Sequence, residues 1–260
     1  MSLSPTELQR YALALQEAKA RGLPIPQQKK KEVHRVEWKL GGNGFFVRND
    51  GKLYDPLPNQ AGFVDTRARF AGFSGGRGSG KTAAGAQKAL KKIMKGESGA
   101  VMNPDFENFK TSTWPEFREW IPWEQIVPSQ RVRANPEWEP HKPFKLVFLN
   151  GAVVICKGLK NPDAARGPNI NWLWYDEGSR DIDGASWQVA VAAVRIGHEP
   201  QAWSTFTPRG LAHWCHKLFV KKDIDEAATE AFKNEDRPLV DWYEGSIEEN
   251  KKNLDIGFYA

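Results

Sequence analysis

Residues 75–82 read GGRGSGKT: a glycine, four residues, then Gly80-Lys81-Thr82. This is the spacing of a phosphate-binding loop. Gly75, Gly76, Gly78 and Gly80 carry no Cβ, so the chain through Arg77 and Ser79 can turn tightly and aim successive N–H groups at phosphate oxygens. Lys81 brings a point charge to the β/γ-phosphates, and the Thr82 hydroxyl is a hard oxygen ligand of the kind Mg²⁺ takes. A helix opening at Lys81 adds partial positive charge at its N-terminus. These residue types point to a nucleoside triphosphate, ATP, with Mg²⁺.

Hydrolysis needs more than a cradle. Residues 170–177 read INWLWYDE, in which the apolar run Trp172–Tyr175 suits a strand buried on both faces. Asp176 and Glu177 then fall at its carboxyl end, where open α/β sheets bind ligands. Asp176 is expected to hold Mg²⁺ through water, and Glu177 to orient or deprotonate the attacking water. Arg77 inside the loop and Arg166 in AARGPN are two candidates to stabilise charge on the γ-phosphate. The hydroxyls of STFTPRG, residues 204–210, end the next strand, where they can sense that phosphate. Upstream, the Gln60 amide has the donor–acceptor pair that matches adenine N6 and N7.

These residues require elements to position them. Strands are expected over Arg69–Ser74, Ala100–Asn103, Ile170–Tyr175 and Ala202–Phe206, and helices over Lys81–Lys95, Phe106–Trp120, Gly184–Arg195 and Leu211–Val220. Their alternation predicts an α/β fold: a three-layer P-loop NTPase sandwich with a mainly parallel central sheet. Asn150-Gly151 between Lys145–Leu149 and Ala152–Cys156 signals a hairpin at one sheet edge. An N-terminal helix starting at Ser4-Pro5, a basic run at Lys29–Lys31 and a small antiparallel hairpin region over 32–54 form an extension, residues 1–55. Residues 56–245 are expected to be the ATPase domain with a small helical lid, and 246–260 a linker stub.

The bulk properties narrow the class. The chain has 260 residues, 40% hydrophobic and 27% charged, with net charge +5. No apolar run is long enough to span a bilayer, and the N-terminus lacks the apolar core of a signal peptide. The cytoplasm is the expected compartment. Cys156 and Cys215 read as reduced core residues. His213 and His216 have no second ligand pair at zinc spacing. Among eleven tryptophans, Trp172 and Trp174 read as core rather than as base-stacking platforms.

Taken together, PNQAGF, RFAGFSGGRGSGKT, LVFLNGAVVICKG, ARGPNINWLWYDE and STFTPRG resemble, in their joint order, the ATPase half of the tailed-phage large terminase, a genome-packaging motor. The resemblance covers roughly residues 56–260. It implies that Gln60 contacts adenine, that Lys81, Thr82, Asp176 and Glu177 serve phosphate, magnesium and water, and that Thr205 and Thr207 lie in a coupling motif. It implies an arginine finger, at Arg77 in the loop or at Arg166 reaching a neighbouring subunit; Arg166 is the position expected to act in trans. It further implies double-stranded DNA contacted through phosphates, a homo-oligomeric ring, a portal, a small terminase subunit, and action at the procapsid in the host cytoplasm. The family's nuclease domain has no counterpart after Gly210, so no nuclease activity is expected of these residues.

Two other readings arise from the same motifs. A helicase-like ATPase would need a second core, and only about fifty residues follow STFTPRG. A nonenzymatic nucleotide switch would leave Glu177 idle. For a translocase, Lys217, Lys221 and Lys222 are candidate phosphate contacts.

Overall fold

A computed structural model describes residues 37–160 and 167–254, which fall in one compact unit beginning at Glu37. In chain order its elements are α1 (Pro58–Asp65), β1 (Phe70–Gly75), α2 (Lys81–Met94), β2 (Gly99–Asn103), α3 (Phe106–Asn108), a π-helical turn (Phe109–Thr113), α4 (Trp114–Trp120), β3 (Phe144–Val147), β4 (Val153–Gly158), β5 (Trp172–Asp176), α5 (Ala185–Val191), β6 (Gln201–Phe206), a second π-helical turn (His216–Val220), α6 (Glu226–Phe232) and β7 (Val240–Gly245). The expected N-terminal helix, the Lys29–Lys31 run and Arg166 lie outside the described residues.

Seven strands form one sheet in the order β3-β4-β2-β5-β6-β1-β7. All pairings are parallel except β3 with β4. The alternation of side chains along the strands divides the core in two. Trp172, Trp174, Val101 and Trp203 pack on one face with α1, α2 and α4. Leu173, Tyr175, Ala100, Met102 and Ala202 pack on the other with α5 and Phe219 of the second π turn. A strand covered on both faces has no polar side, which is why β5 reads as a run of aromatics.

Tryptophans this large fit only where the neighbouring element gives way. A Cβ on Gly85 of α2 would lie 2.4 Å from the Trp174 ring, and one on Gly99 would lie 2.1 Å from Trp172. The two indoles are buried as expected, and each N–H finds a partner: Trp172 Nε1 donates to the Glu97 carbonyl at 3.0 Å, and Trp174 Nε1 to Thr205 Oγ1 at 2.8 Å. Cys156 and Cys215 are both buried and free.

Several expectations need correction. The turns at Gly41–Gly44 and Arg48–Lys52 form, but only a single antiparallel bridge, Leu40 with Phe46, joins the flanking chain. On the side of Phe46 that faces away from Leu40, the Gln87 amide of α2 takes both backbone groups: it accepts from the N–H at 2.8 Å and donates to the carbonyl at 3.0 Å. Phe45, Phe46 and Tyr54 accordingly join the core. By contrast, the hairpin across Asn150-Gly151 forms one edge of the sheet as expected: β3 is the outermost strand, and β4 joins it to β2 in parallel pairing.

The segment after residue 210 is not wholly helical either. The stretch VDWYEG forms β7, which extends the sheet beside β1. The expected helix over 211–220 is confined to its second half, that over 184–195 ends at Val191, and that over 106–120 is broken by the π turn. A further helix, α1, forms where none was expected. Pro58 opens it, and the Lys88 ammonium closes it by donating to the carbonyls of Phe63, Val64 and Thr66 at 3.1, 3.3 and 2.7 Å.

The close approach of Gly85 to Trp174 is testable. Gly85→Ala gains about 1 kcal/mol of helix propensity but forces α2 off the ring, a strain of about 1–3 kcal/mol. Urea unfolding is expected to show a net loss of stability. A variant more stable than the wild type would mean that the contact is slack.

Candidate functional site

The site lies at the carboxyl end of the parallel strands, where β1 and β5 stop and α2 begins. Gly78 and Gly80 have φ of +80° and +76°, the left-handed region that side chains avoid. Gly80 is also hemmed in: a Cβ there would meet Gln60 Nε2 at 2.4 Å. The α2 N-terminus has no side-chain cap. Its first N–H groups and the dipole of a fourteen-residue helix therefore face the loop with capacity left for an anion.

Across the loop stands the acidic pair. Asp176 ends β5 with no solvent exposure. Thr205 donates to its Oδ1, and Thr113 donates to its Oδ2 at 2.6 Å. Each hydroxyl is itself held, Thr205 by Trp174 Nε1 and Thr113 by Asn103 Nδ2 at 3.1 Å. Burial pushes the Asp176 carboxyl up to about 6, with the neighbouring Glu177 charge adding to it; the two hydroxyls and Lys81 pull the other way. Glu177 follows at φ 53°, a strained conformation for a residue with a side chain. This turn brings its Oε1 to 3.4 Å from Lys81 Nζ, an ion pair whose members are mostly shielded from water.

A cavity of about 410 Å³ opens beside the loop. Gly78, Gly80, Lys81, Thr82 and Gln60 line it, together with Tyr54, Trp120 and Asn250. Its size suits a nucleotide. Gln60 is buried and its amide is engaged: Oε1 accepts from the Leu57 N–H at 2.9 Å, and Nε2 donates to the Ser79 carbonyl at 2.9 Å and to Asn250 Oδ1 at 3.3 Å. The second lone pair of Oε1 remains for a donor in the cavity.

Gly75 ends β1, and Gly76 and Arg77 are exposed. Arg77 does not line the cavity. The Ser79 hydroxyl is buried without a partner, as are those of Ser179 and Ser204. Thr205 joins the Asp176 network, whereas Thr207 stands half-buried past the end of β6. Thr82 and Asp176 are hard oxygen donors, as Mg²⁺ requires. Among the described residues no group of three His, Cys, Asp or Glu could hold a metal alone.

Sequence reasoning did not find Thr113, Asn103, Tyr54 or Asn250. Thr113 and Asn103 reach Asp176 through the π turn, and no local pattern announces them. Asn250 arrives from beyond β7, an element itself unforeseen.

Comparison with known proteins places these features in context. The family described as "Terminase large subunit, T4likevirus-type, N-terminal" matches residues 73–252. Among solved structures, the ATPase domain of the Thermus phage P74-26 large terminase is 16% identical, with a TM-score of 0.52 over 77% of this chain and 86% of that one. The large terminase of a thermophilic bacteriophage, solved in complex with ADP, is 11% identical, TM-score 0.56, over 77% of this chain and 47% of that one. The HK97 bacteriophage large terminase is 14% identical, TM-score 0.54, over 77% and 41%. This chain thus spans about half of the thermophilic-phage protein and less of the HK97 protein. At these identities the likeness establishes the α/β fold. No curated protein sequence matches.

The buried carboxylate has a measurable signature. Its folded pKa, about 6, lies above the ordinary value of 3.8. Its contribution to stability is therefore fully present below about pH 4 and is lost as pH rises through 6. Asp176→Asn is expected to be more stable than the wild type at pH 7, by on the order of 2–3 kcal/mol. The gap should shrink toward pH 4.5 in urea unfolding without metal. A gap independent of pH would show that Asp176 is not the strained group.

Proposed function

The chain belongs to the T4likevirus-type terminase large-subunit family, and from that premise and the geometry of its site we propose that it is an ATP-hydrolysing motor that drives double-stranded DNA into a viral capsid. The observation that carries the reading is the Lys81–Glu177 pair, 3.4 Å apart across the mouth of the loop. Without nucleotide each neutralises the other. A triphosphate entering the cavity offers Lys81 a denser negative charge, and Lys81 transfers to the β/γ-phosphates. Glu177, released, is then a free carboxylate beside the γ-phosphate, able to orient water and take its proton.

The remaining roles follow from position. The N–H groups of Gly75–Gly80 and the α2 N-terminus hold the phosphates. Thr82 directly and Asp176 through water would hold Mg²⁺, which would supply charge neutralisation to the phosphates. Gln60 Oε1 accepts from the adenine amine, a contact that guanine's oxo group cannot make. Thr205 joins Asp176 to β6, so a change at the Asp176 carboxylate reaches Thr207 and the residues after it. That is the route we assign to coupling. Arg166 acts in trans as the finger, with Arg77 as the alternative in cis.

The thermophilic-phage large terminase, similar in fold, has been solved with ADP and with ATP-gamma-S, which supports a nucleotide as the occupant of the cavity. Translocation must be indifferent to sequence, so DNA contacts go to phosphates and weaken steeply with salt. The working form is a homo-oligomeric ring at the portal of a procapsid in the host cytoplasm, aided by a small terminase subunit.

Two measurements test the reading. Glu177→Gln should lower kcat for ATP about a hundredfold or more while leaving nucleotide binding intact; unchanged turnover would remove Glu177 from the catalytic step. Mixing Glu177→Ala with Arg166→Ala protein should restore hydrolysis that neither shows alone. Failure of the mixture, with both proteins folded and assembled, would remove Arg166 as a finger acting in trans.

A further inference from the structure

A loop that turns its N–H groups inward toward phosphate must turn its carbonyls outward. Those carbonyls then need donors, and each donor fixes the tilt of a peptide plane. Two are supplied by side chains. The Gln60 amide donates to the Ser79 carbonyl at 2.9 Å, which aims the Gly80 N–H the opposite way, into the cradle. The second comes from a distant part of the chain: Asn250 Nδ2 donates to the Gly78 carbonyl at 2.7 Å.

Asn250 is built into place rather than resting on a surface. It is 4% exposed. Its Oδ1 accepts from Gln60 Nε2 at 3.3 Å and from Asn253 Nδ2 at 3.0 Å, so the two loop-holding amides are bonded to each other. The turn that carries it is closed at both ends. Glu249 N–H donates to Ser246 Oγ at 3.1 Å, and Ser246 N–H donates back to Glu249 Oε2 at 3.3 Å, a reciprocal box immediately after β7. Beyond it, Asn253 Nδ2 donates to the Asp55 carbonyl at 3.2 Å, and Lys252 pairs with the Asp55 carboxylate at 2.6 Å. The segment 246–254 is thereby tied to the wall of the cavity on one side and to the phosphate loop on the other.

We propose that Asn250 is a positioning residue of the nucleotide site: it holds the phosphate loop in its binding shape through the Gly78 carbonyl, and it links the occupancy of the loop to the segment 246–254. The proposal rests on the reading of residues 75–82 as an ATP cradle and extends it to a residue 172 positions from Gly78 in sequence. Asn250 acts on the ground state of the loop and has no part in the bond-breaking step. Its loss therefore raises KM and leaves kcat nearly unchanged.

The test uses the full chain with Asn250→Asp, which keeps shape but removes the donor, with Asn250→Ala, and with Asn253→Ala, which removes only the brace. A fluorescent ATP analogue gives Kd, and phosphate release gives KM and kcat. Either Asn250 variant is expected to raise Kd and KM about tenfold, the worth of one hydrogen bond to a buried carbonyl. kcat should change less than about threefold, and Asn253→Ala should move Kd the same way by a smaller factor. Hydrogen exchange adds a readout that a merely structural residue would not move: the analogue should slow exchange over 246–254 in the wild type and not in Asn250→Asp. Wild-type Kd and exchange in a folded Asn250→Asp protein would overturn the proposal, as would an equal fall in kcat. If the wild type itself binds no analogue, the ATP reading fails instead.

Discussion

A carboxylate without solvent at the end of a central strand is the constraint to which the rest of the site answers. Burying Asp176 is costly, and the surrounding structure is organised to offset that cost. Two hydroxyls donate to it, each steadied by a second side chain, Trp174 or Asn103. The tryptophan that steadies Thr205 needs a glycine in the facing helix, and that helix is the one that begins at the phosphate loop. Packing in the core and charge in the cradle are therefore linked by a short chain of contacts: Gly85, Trp174, Thr205, Asp176. A pocket of this kind is expected to be less stable than an apolar one of the same volume, and the raised Asp176 pKa is the sign of it.

The loop answers a second constraint. The carbonyls of Gly78 and Ser79 are met by amides from the segment after β7 and from α1. Glutamine and asparagine suit the task because they donate without bringing a charge that would compete with phosphate. Lysine is kept for the interior of the cradle, where Lys81 waits on Glu177. In the proposed function, amides hold the scaffold and the Lys81–Glu177 charges are exchanged with the ligand.

What the sequence made legible follows from how locally each feature is encoded. The loop could be read because glycine spacing is itself the mechanism, and β5 because a strand covered on both faces must be a continuous apolar run followed by its acidic pair. The alternating strands and helices of residues 69–103 and the fold class were legible for the same reason. The docking of Phe46 onto Gln87, forty-one residues away, leaves no local pattern to read. The strand β7 was missed because six residues with a mixed face give a weak signal, and its pairing with β1 is set by tertiary structure. Thr113 and Asn250 carry no local pattern, and only their bonds to Asp176 and to Gly78 reveal them.

The most direct test of the account is a structure of the chain with Mg²⁺ and a slowly hydrolysed ATP analogue, read at one distance. Lys81 Nζ should have left Glu177 Oε1 and should lie within hydrogen-bond reach of a β- or γ-phosphate oxygen, with the Glu177 carboxylate turned toward a water in line with the terminal phosphorus. A cradle without nucleotide at saturating analogue, with the lysine and glutamate still joined, would contradict it.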